Sequence, residues 1–187
     1  MSTAIVILII VAAVIVVALA GVAIYFFAER ERSKHLQETF RGEYDRTVEG
    51  TGDRRRAESE LASRQKRVEE LNIRELSPDD RERFAAQWDE VQADFVDDPE
   101  RAIAASDRLV NDVMQRRGYP MGEFEQRAAD VSVDHPDVVE HYRKAHAIAG
   151  SEAARQASTE DLREAMIHYR ALFDDLLGQQ PARRRAS

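Results

Sequence analysis

The amino-acid sequence predicts an all-α protein with one N-terminal transmembrane helix, followed by a helical stalk and a small helical bundle. Three observations lead to this prediction. A long apolar run opens the chain, the apolar residues after it recur at helical spacing, and no alternating, turn-bounded run typical of a β-strand is found. The charges divide the chain in the same way, because all 27 basic and all 35 acidic residues lie after position 28 of the 187.

The apolar run covers residues 4–28 and has one glycine and no charged side chain. A helix of 25 residues is roughly 37 Å long, which exceeds the ~30 Å hydrocarbon core of a bilayer. Tyr25, Phe26 and Phe27 lie at its end, where an aromatic belt is expected. Residues 1–28 are therefore predicted to form a single-pass anchor whose partner is the lipid bilayer.

A cleavable signal peptide is the competing interpretation, with Ala18-Leu19-Ala20 as its cleavage signal. Two features oppose it. Met1-Ser2-Thr3 contains no Lys or Arg, and the apolar run is longer than the 7–15 residues of a typical signal-peptide core. An uncleaved anchor is the favoured prediction.

Basic residues follow the apolar run and do not precede it. The 20 residues after Ala28 contain five of them: Arg30, Arg32, Lys34, Arg41 and Arg46. Because Lys and Arg near a span tend to stay in the cytoplasm, we expect the protein at the cell membrane with Glu29–Ser187 in the cytoplasm. Insertion in the manner of a signal sequence is the alternative, and it would place the same residues outside.

Residues 29–76 are predicted to form a charged helical stalk or a first hairpin. Leu36, Phe40, Tyr44 and Val48 recur every four residues and mark one apolar face of a helix. Gly50-Thr51-Gly52 interrupts this pattern, and a shorter apolar stripe follows. The stretch has 12 basic and 12 acidic residues, many of them spaced to pair along a helix surface.

Residues 77–178 are predicted to form an acidic helical bundle. Helix starts are marked by Ser77 before Pro78, by Asp98 before Pro99, and by Ser158, whose third following residue is Asp161. Gly118 and Gly178 are predicted to end helices. Seven large side chains are predicted to lie in the core: Trp88, Phe95, Leu109, Val113, Tyr142, Tyr169 and Phe173.

Two further elements complete the predicted organisation. Asp134 resembles another helix cap, with Asp137 at the third helical position and Val133 and Val138 as a hydrophobic staple. Residues 179–187 are predicted to form a disordered basic tail around Arg183-Arg184-Arg185.

Composition excludes several classes of function. The chain has no Cys, so it has no disulfide, thiolate metal site or cysteine nucleophile. Its net charge of −8 argues against general nucleic-acid binding, and no nucleic-acid partner is expected. No phosphate-binding loop, dinucleotide fingerprint, serine-hydrolase elbow or HExxH motif is present. We therefore expect no cofactor, and a non-enzymatic role is favoured over catalysis.

The histidines provide a lead towards a metal ligand. His141 and His146 are five residues apart, about 140° around a helix, so they do not form the i, i+4 pair that a helical metal site prefers. A site built by His and carboxylates from several helices is the alternative. The simpler interpretation places His168 in solvent and His146 beside the core.

We expect any recognition surface to lie within residues 116–146, because two turns interrupt the helices there. Loops held by a rigid scaffold often present recognition residues. The candidate residues of this segment are Tyr119, Arg127, Asp134, His135 and His141. The competing explanation is structural, since the Gly, Pro and Asp residues of these turns also end and start helices.

Several strings of this chain resemble an uncharacterised family of bacterial membrane-associated or secreted proteins, found notably in actinobacteria. They are GDRRRAESEL (Gly52–Leu61), FVDDP (Phe95–Pro99), RGYP (Arg117–Pro120), RAADVSVDHP (Arg127–Pro136) and STEDLREAMIHYRALF (Ser158–Phe173). The resemblance covers nearly all of the chain after the apolar run. It implies a bacterial source and a membrane-associated or secreted helical protein, and it implies no activity.

Two functional hypotheses follow. The first is a membrane-tethered interaction or scaffold protein that holds an unknown protein partner. The second is a ligand-binding or metal-binding domain, or an enzyme, with a His and carboxylate site assembled across helices. A filled core with exposed aromatic or apolar surface would favour the first, and a buried cluster of at least three such groups around a cavity would favour the second.

The topology can be tested in bacterial spheroplasts that express the full-length chain. We expect added protease to spare residues 29–187, because the basic residues after the apolar run favour the cytoplasm. Permeabilised spheroplasts are the control in which digestion should proceed. Digestion in intact spheroplasts, or a mature N-terminus at Gly21, would contradict the prediction.

Overall fold

The structure is a computed structural model that describes the backbone of residues 3–150 and 156–178. All regular elements in this part of the chain are helices, which confirms the all-α prediction. They are α1 (Thr3–Phe40), α2 (Gly42–Thr51), α3 (Arg54–Glu69), α4 (Pro78–Asp94), α5 (Pro99–Arg117), α6 (Phe124–Asp134), α7 (Val139–Ala149) and α8 (Thr159–Leu176).

The predicted membrane span is only partly described. Among the residues that the structure describes, no helix has a stretch long and apolar enough to cross a bilayer. The side chains of residues 4–15, of Ala18 and of Tyr25 lie outside the described set, as does the predicted basic tail of residues 179–187.

The chain divides into two compact units, residues 1–39 and residues 40–187. This boundary differs from the one expected between stalk and bundle at residues 76 and 77. Helix α2 packs on α3, and α3 in turn packs on α6, so residues 40–76 belong to the same unit as the bundle. The reason is visible in α3, where Ala57 and Leu61 are fully buried and need a partner surface.

Buried ion pairs attach the α2–α3 hairpin to the rest of this unit. The Glu43 side chain on α2 is 1% exposed, and Arg143 on α7 donates to both of its oxygens at 2.7 and 2.9 Å. Arg64 on α3 donates to Glu43 Oε1 at 2.9 Å. Arg67 on α3 similarly donates to Asp130 on α6, whose side chain is also 1% exposed. Each carboxylate joins helices that are far apart in sequence.

The predicted helix starts are confirmed where the cap is a local feature. Ser77, Asp98 and Ser158 each accept a hydrogen bond from the backbone N–H three residues later. The cap of α8 is a full capping box, because the Asp161 side chain accepts from the Ser158 backbone N–H in return. Asp53 caps α3 in the same manner, which the sequence analysis did not predict.

Gly118 ends α5, as predicted, and its position requires a glycine. Its φ of 102° lies in the left-handed region, and a Cβ atom there would come within 2.6 Å of the Asn72 carbonyl oxygen. The segment before α4 passes this close because the Arg74 N–H donates to the Arg117 carbonyl at 2.9 Å. The end of α5 is thereby fixed against residues 72–74.

The main core lies between α4, α5, α7 and α8. Of the seven predicted core residues, six are buried and only Phe95, in the turn after α4, is partly exposed. Trp88 stacks on Phe173 with a distance of 4.6 Å between ring centroids. Helix α8 contributes the largest share of the core, because it packs on both α5 and α7.

Trp88→Ala should destabilise the protein by about 3–5 kcal/mol, because it removes a large side chain that is 3% exposed and stacked on Phe173. Chemical denaturation followed by far-ultraviolet circular dichroism measures this loss. Val96→Ala is the matched control, since Val96 is 84% exposed and its truncation should change the free energy of unfolding by less than about 0.5 kcal/mol. Equal effects of the two substitutions would contradict the assignment of Trp88 to the core.

Candidate functional site

Three helix ends meet around an open depression of ≈ 460 Å³ in the second unit. Arg117 comes from the end of α5, Asp134 and His135 from the end of α6, and Asp175 from the last turn of α8. Glu75 and Arg81, from the linker before α4 and from its first turns, complete the polar lining. Two of the predicted recognition residues, Asp134 and His135, therefore lie in this depression.

His135 uses both ring nitrogens. Its Nδ1 pairs with Asp175 Oδ2, and its Nε2 lies 2.9 Å from Nη1 of Arg117. A guanidinium can only donate, so Nε2 accepts and the proton of the neutral ring sits on Nδ1, where it is donated to Asp175. Arg117 Nη1 also donates to the Leu176 carbonyl at 3.1 Å. His135 therefore bridges α5 and α8 and has no nitrogen left to act as a general base.

Asp134 accepts a hydrogen bond from the Tyr119 hydroxyl at 2.8 Å. Tyr119 is buried, and burial raises the pKa of its phenol far above its ordinary value, with the nearby Asp134 charge acting in the same direction. Tyr119 therefore stays protonated and remains a donor. Its ring also lies 5.9 Å from the guanidinium carbon of Arg117.

The prediction that Asp134 caps the next helix is wrong. Helix α6 continues through Asp134, and α7 begins only at Val139, with Val138 at its N-cap and no side-chain cap. Pro136 explains the difference, because it disfavours helical backbone at the preceding residue and so ends α6 at that point. The predicted hydrophobic staple between Val133 and Val138 depended on an N-cap at Asp134, so this prediction is wrong as well.

Arg127 lies outside the lining of the depression. Its Nε donates to the Tyr142 hydroxyl at 3.2 Å, and its Nη1 donates to the Gly122 carbonyl. The Tyr142 hydroxyl in turn donates to Asn111 Oδ1 at 3.2 Å. These contacts tie the loop before α6 to α5 and α7, so Arg127 has a structural position.

His141 also lies elsewhere and pairs with another histidine. The Nδ1 atoms of His141 on α7 and His168 on α8 are 2.7 Å apart. His168 is 9% exposed, which contradicts its predicted place in solvent. It is buried because the α7–α8 contact covers this side of α8 as well as the Tyr169 stripe. Its Nε2 lies 3.5 Å from Glu164 Oε1 one turn earlier.

His146 flanks the core as predicted. Its ring stacks on Phe124 with 3.7 Å between ring centroids, and its Nδ1 lies 3.4 Å from Asp107 Oδ1. Among the described residues, no three His, Asp or Glu side chains converge in a way that could hold a metal ion. The His141–His168 pair supplies two nitrogens, fewer than the three or four protein ligands of a typical zinc site.

The sequence analysis missed four charged residues of this site: Glu75, Arg81, Arg117 and Asp175. Asp175 offers one usable signal, because it follows His168 and Leu172 at the spacing of a single helix face and lies among apolar residues. A carboxylate on a buried face needs a partner. No comparable pattern marks Arg117, whose role depends on helices that are distant in sequence.

Comparison with known proteins finds no match among family models, among curated proteins or among solved structures.

The His141–His168 pair should make the stability of the fold depend on pH. Burial lowers the pKa of His141 below 6.5, and His168 and Lys144 act in the same direction against the opposing charge of Glu140. The unfolded chain therefore binds a proton more readily than the folded one. The free energy of unfolding should fall as the pH drops below about 6.5, and this loss should level off below the pKa of the folded state.

Urea denaturation at pH values from about 7.5 to about 5.5 measures this dependence. His141→Gln should flatten it, because glutamine does not titrate. His35→Gln is the matched control, since His35 is exposed on α1. A pH dependence that is the same in His141→Gln as in the original chain would contradict the assignment to this pair.

Proposed function

We propose that the protein is a single-pass membrane-anchored helical protein whose second unit holds a protein partner at the membrane. Residues 4–28 form the anchor in this proposal, and the helices after it lie on the cytoplasmic side. The depression around His135 is the proposed recognition surface.

The observation that carries the anchor is the exposure of large apolar side chains on α1. Seven of them are between 53% and 71% exposed: Val16, Val17, Leu19, Val22, Ile24, Phe26 and Phe27. They follow the uncharged residues 4–15 in the same helix. A helix that is apolar on all sides needs an apolar surrounding, and a bilayer supplies one.

The cytoplasmic orientation is supported by charge. The first basic residues, Arg30, Arg32 and Lys34, follow the apolar run directly and remain on the same helix. Basic residues within about 15–20 positions of a span tend to remain on the cytoplasmic side. The resemblance to a bacterial membrane-associated or secreted family agrees with a membrane location.

The depression suits contact with a protein better than catalysis. His135 already binds Arg117 and Asp175, so these three groups form a preorganised surface, and neither ring nitrogen of His135 is free to act as a base. It is formed by rigid helix ends, and at its rim Glu75 is 88% exposed. Charged groups at such a rim set specificity and the rate of association.

The proposal is tested by affinity purification of the full-length protein from solubilised membranes. We expect a partner to be recovered with the original chain and lost with Glu75→Arg, because the substitution reverses the charge at the rim. Among the described residues, Glu75 forms an ion pair with Arg81 alone, and its high exposure makes a folding defect unexpected. Glu90→Arg, an exposed reversal on α4 away from the depression, should retain the partner.

Two results would contradict the recognition surface. One is a partner that is recovered equally with all three proteins, and the other is the absence of any specific partner. His135→Ala is unsuited to this test because His135 bridges two helices. Its removal leaves Asp175 and Arg117 without a shared ligand and should lower stability.

A further inference from the structure

We propose that a second depression, formed around Arg74, Arg83 and Arg116, binds a phosphate group. This depression has a volume of ≈ 590 Å³ and is open to solvent. Its lining also includes Gln87 and Gln115, which carry side-chain amides. No sequence motif marks it, because its three arginines come from a linker, from α4 and from α5.

A buried carboxylate positions two of the arginines. Asp80, in the first turn of α4, is 5% exposed. Its Oδ1 accepts from Arg83 Nη2 at 2.7 Å, and its Oδ2 accepts from Arg116 Nε at 2.8 Å. The Ser77 hydroxyl donates to the same Oδ2 at 2.9 Å. The two guanidinium groups are thus held side by side by one fixed acceptor.

Both guanidinium groups keep donors for a ligand. An arginine has five N–H donors in a planar group, and each of these two donates to Asp80 through one nitrogen, Nη2 of Arg83 and Nε of Arg116. The side chains of Arg83 and Arg116 are 55% and 50% exposed, so the remaining N–H groups are accessible from solvent. Arg83 also lies over the Phe84 ring, 5.0 Å from its centroid, which restricts its position further.

Arg74 is brought to the same depression by its backbone. Its N–H donates to the Arg117 carbonyl at 2.9 Å, and its carbonyl accepts from Arg117 Nε at 3.4 Å. Its side chain is exposed and makes no hydrogen bond or ion pair with the described residues. Arg74 is therefore a third cation, fixed at its Cα and available to a ligand.

The charge of the depression favours an anion. Asp80 and Asp112 offset two of the three arginines and leave the depression net positive, whereas residues 77–178 as a whole have 23 acidic and 12 basic residues. The Arg116 guanidinium beside Asp80 holds the pKa of that carboxyl below its ordinary value. Asp80 therefore stays ionised near neutral pH and keeps accepting hydrogen bonds from both arginines.

The number of donors favours phosphate over carboxylate. One carboxylate is already satisfied by two arginines here, as Asp80 demonstrates. Three guanidinium groups and two amides around an open space match the three or four oxygens of a tetrahedral phosphate. The ligand could be a soluble phosphate compound or a phospholipid headgroup, because both offer the same oxygens.

Calorimetric titration of the full-length protein in an uncharged detergent, at constant ionic strength, tests the proposal. The probes are inorganic phosphate, glycerophosphoglycerol as the free headgroup of a common anionic phospholipid, and acetate. We expect phosphate or the headgroup to bind, and acetate to bind more weakly. Arg74→Gln and Arg116→Gln should each raise the dissociation constant about tenfold, because each removes charged hydrogen-bond donors.

Arg108→Gln is the matched control, since Arg108 is exposed on α5 two turns before Arg116 and lies outside the depression. Arg74→Gln keeps the test valid if loss of Arg116 disturbs folding, because the Arg74 side chain makes no hydrogen bond or ion pair with the part of the chain that the structure describes. Binding of inorganic phosphate alone identifies a soluble ligand, and binding of glycerophosphoglycerol identifies a lipid source.

Three results would overturn the proposal. The first is that neither phosphate probe binds. The second is that Arg74→Gln binds the phosphate probes as tightly as the control Arg108→Gln and the original chain do, which indicates nonspecific attraction. The third is that acetate binds as tightly as phosphate, which indicates a carboxylate site.

Discussion

The fold of the second unit depends on buried carboxylates that arginines from other helices neutralise. Glu43 is almost completely buried between Arg64 and Arg143, and Asp130 is buried beside Arg67. A carboxylate in this position is unfavourable unless it is paired and hydrogen-bonded, so each pair fixes which helices lie together. The α2–α3 hairpin is attached to α6 and α7 in this way, which is why it lies in the same compact unit as the bundle.

The same arrangement favours arginine over lysine at these positions. The chain has 24 Arg and 3 Lys. A guanidinium is planar and binds a carboxylate through two parallel hydrogen bonds, as Arg143 does with Glu43. A lysine would bring a more strongly hydrated point charge and could not span both oxygens in one plane. Arginine therefore suits helices that must be joined at defined positions through partly buried ion pairs.

Both depressions result from pairing between polar side chains of different helices. At one, Arg117 and Asp175 hold His135 between the ends of α5 and α8, which produces a preorganised polar surface. At the other, Asp80 holds Arg83 and Arg116 side by side and leaves much of each guanidinium exposed. At the first, His135, Arg117 and Asp175 bind one another, and at the second, Arg83 and Arg116 keep N–H groups that are open to solvent. This contrast is the reason for proposing a protein contact at the first and a phosphate at the second.

The sequence by itself determined the features that depend on neighbouring residues. The helical class, the caps at Ser77, Asp98 and Ser158, the stop at Gly118 and most core positions follow from local spacing and from hydrogen bonds within one turn. Only the tertiary structure decided that Asp134 binds Tyr119, that His135 binds Arg117 and Asp175, and that His141 meets His168. These contacts join residues 15 to 40 positions apart, and the spacing along one helix contains no information about which face of another helix will meet it.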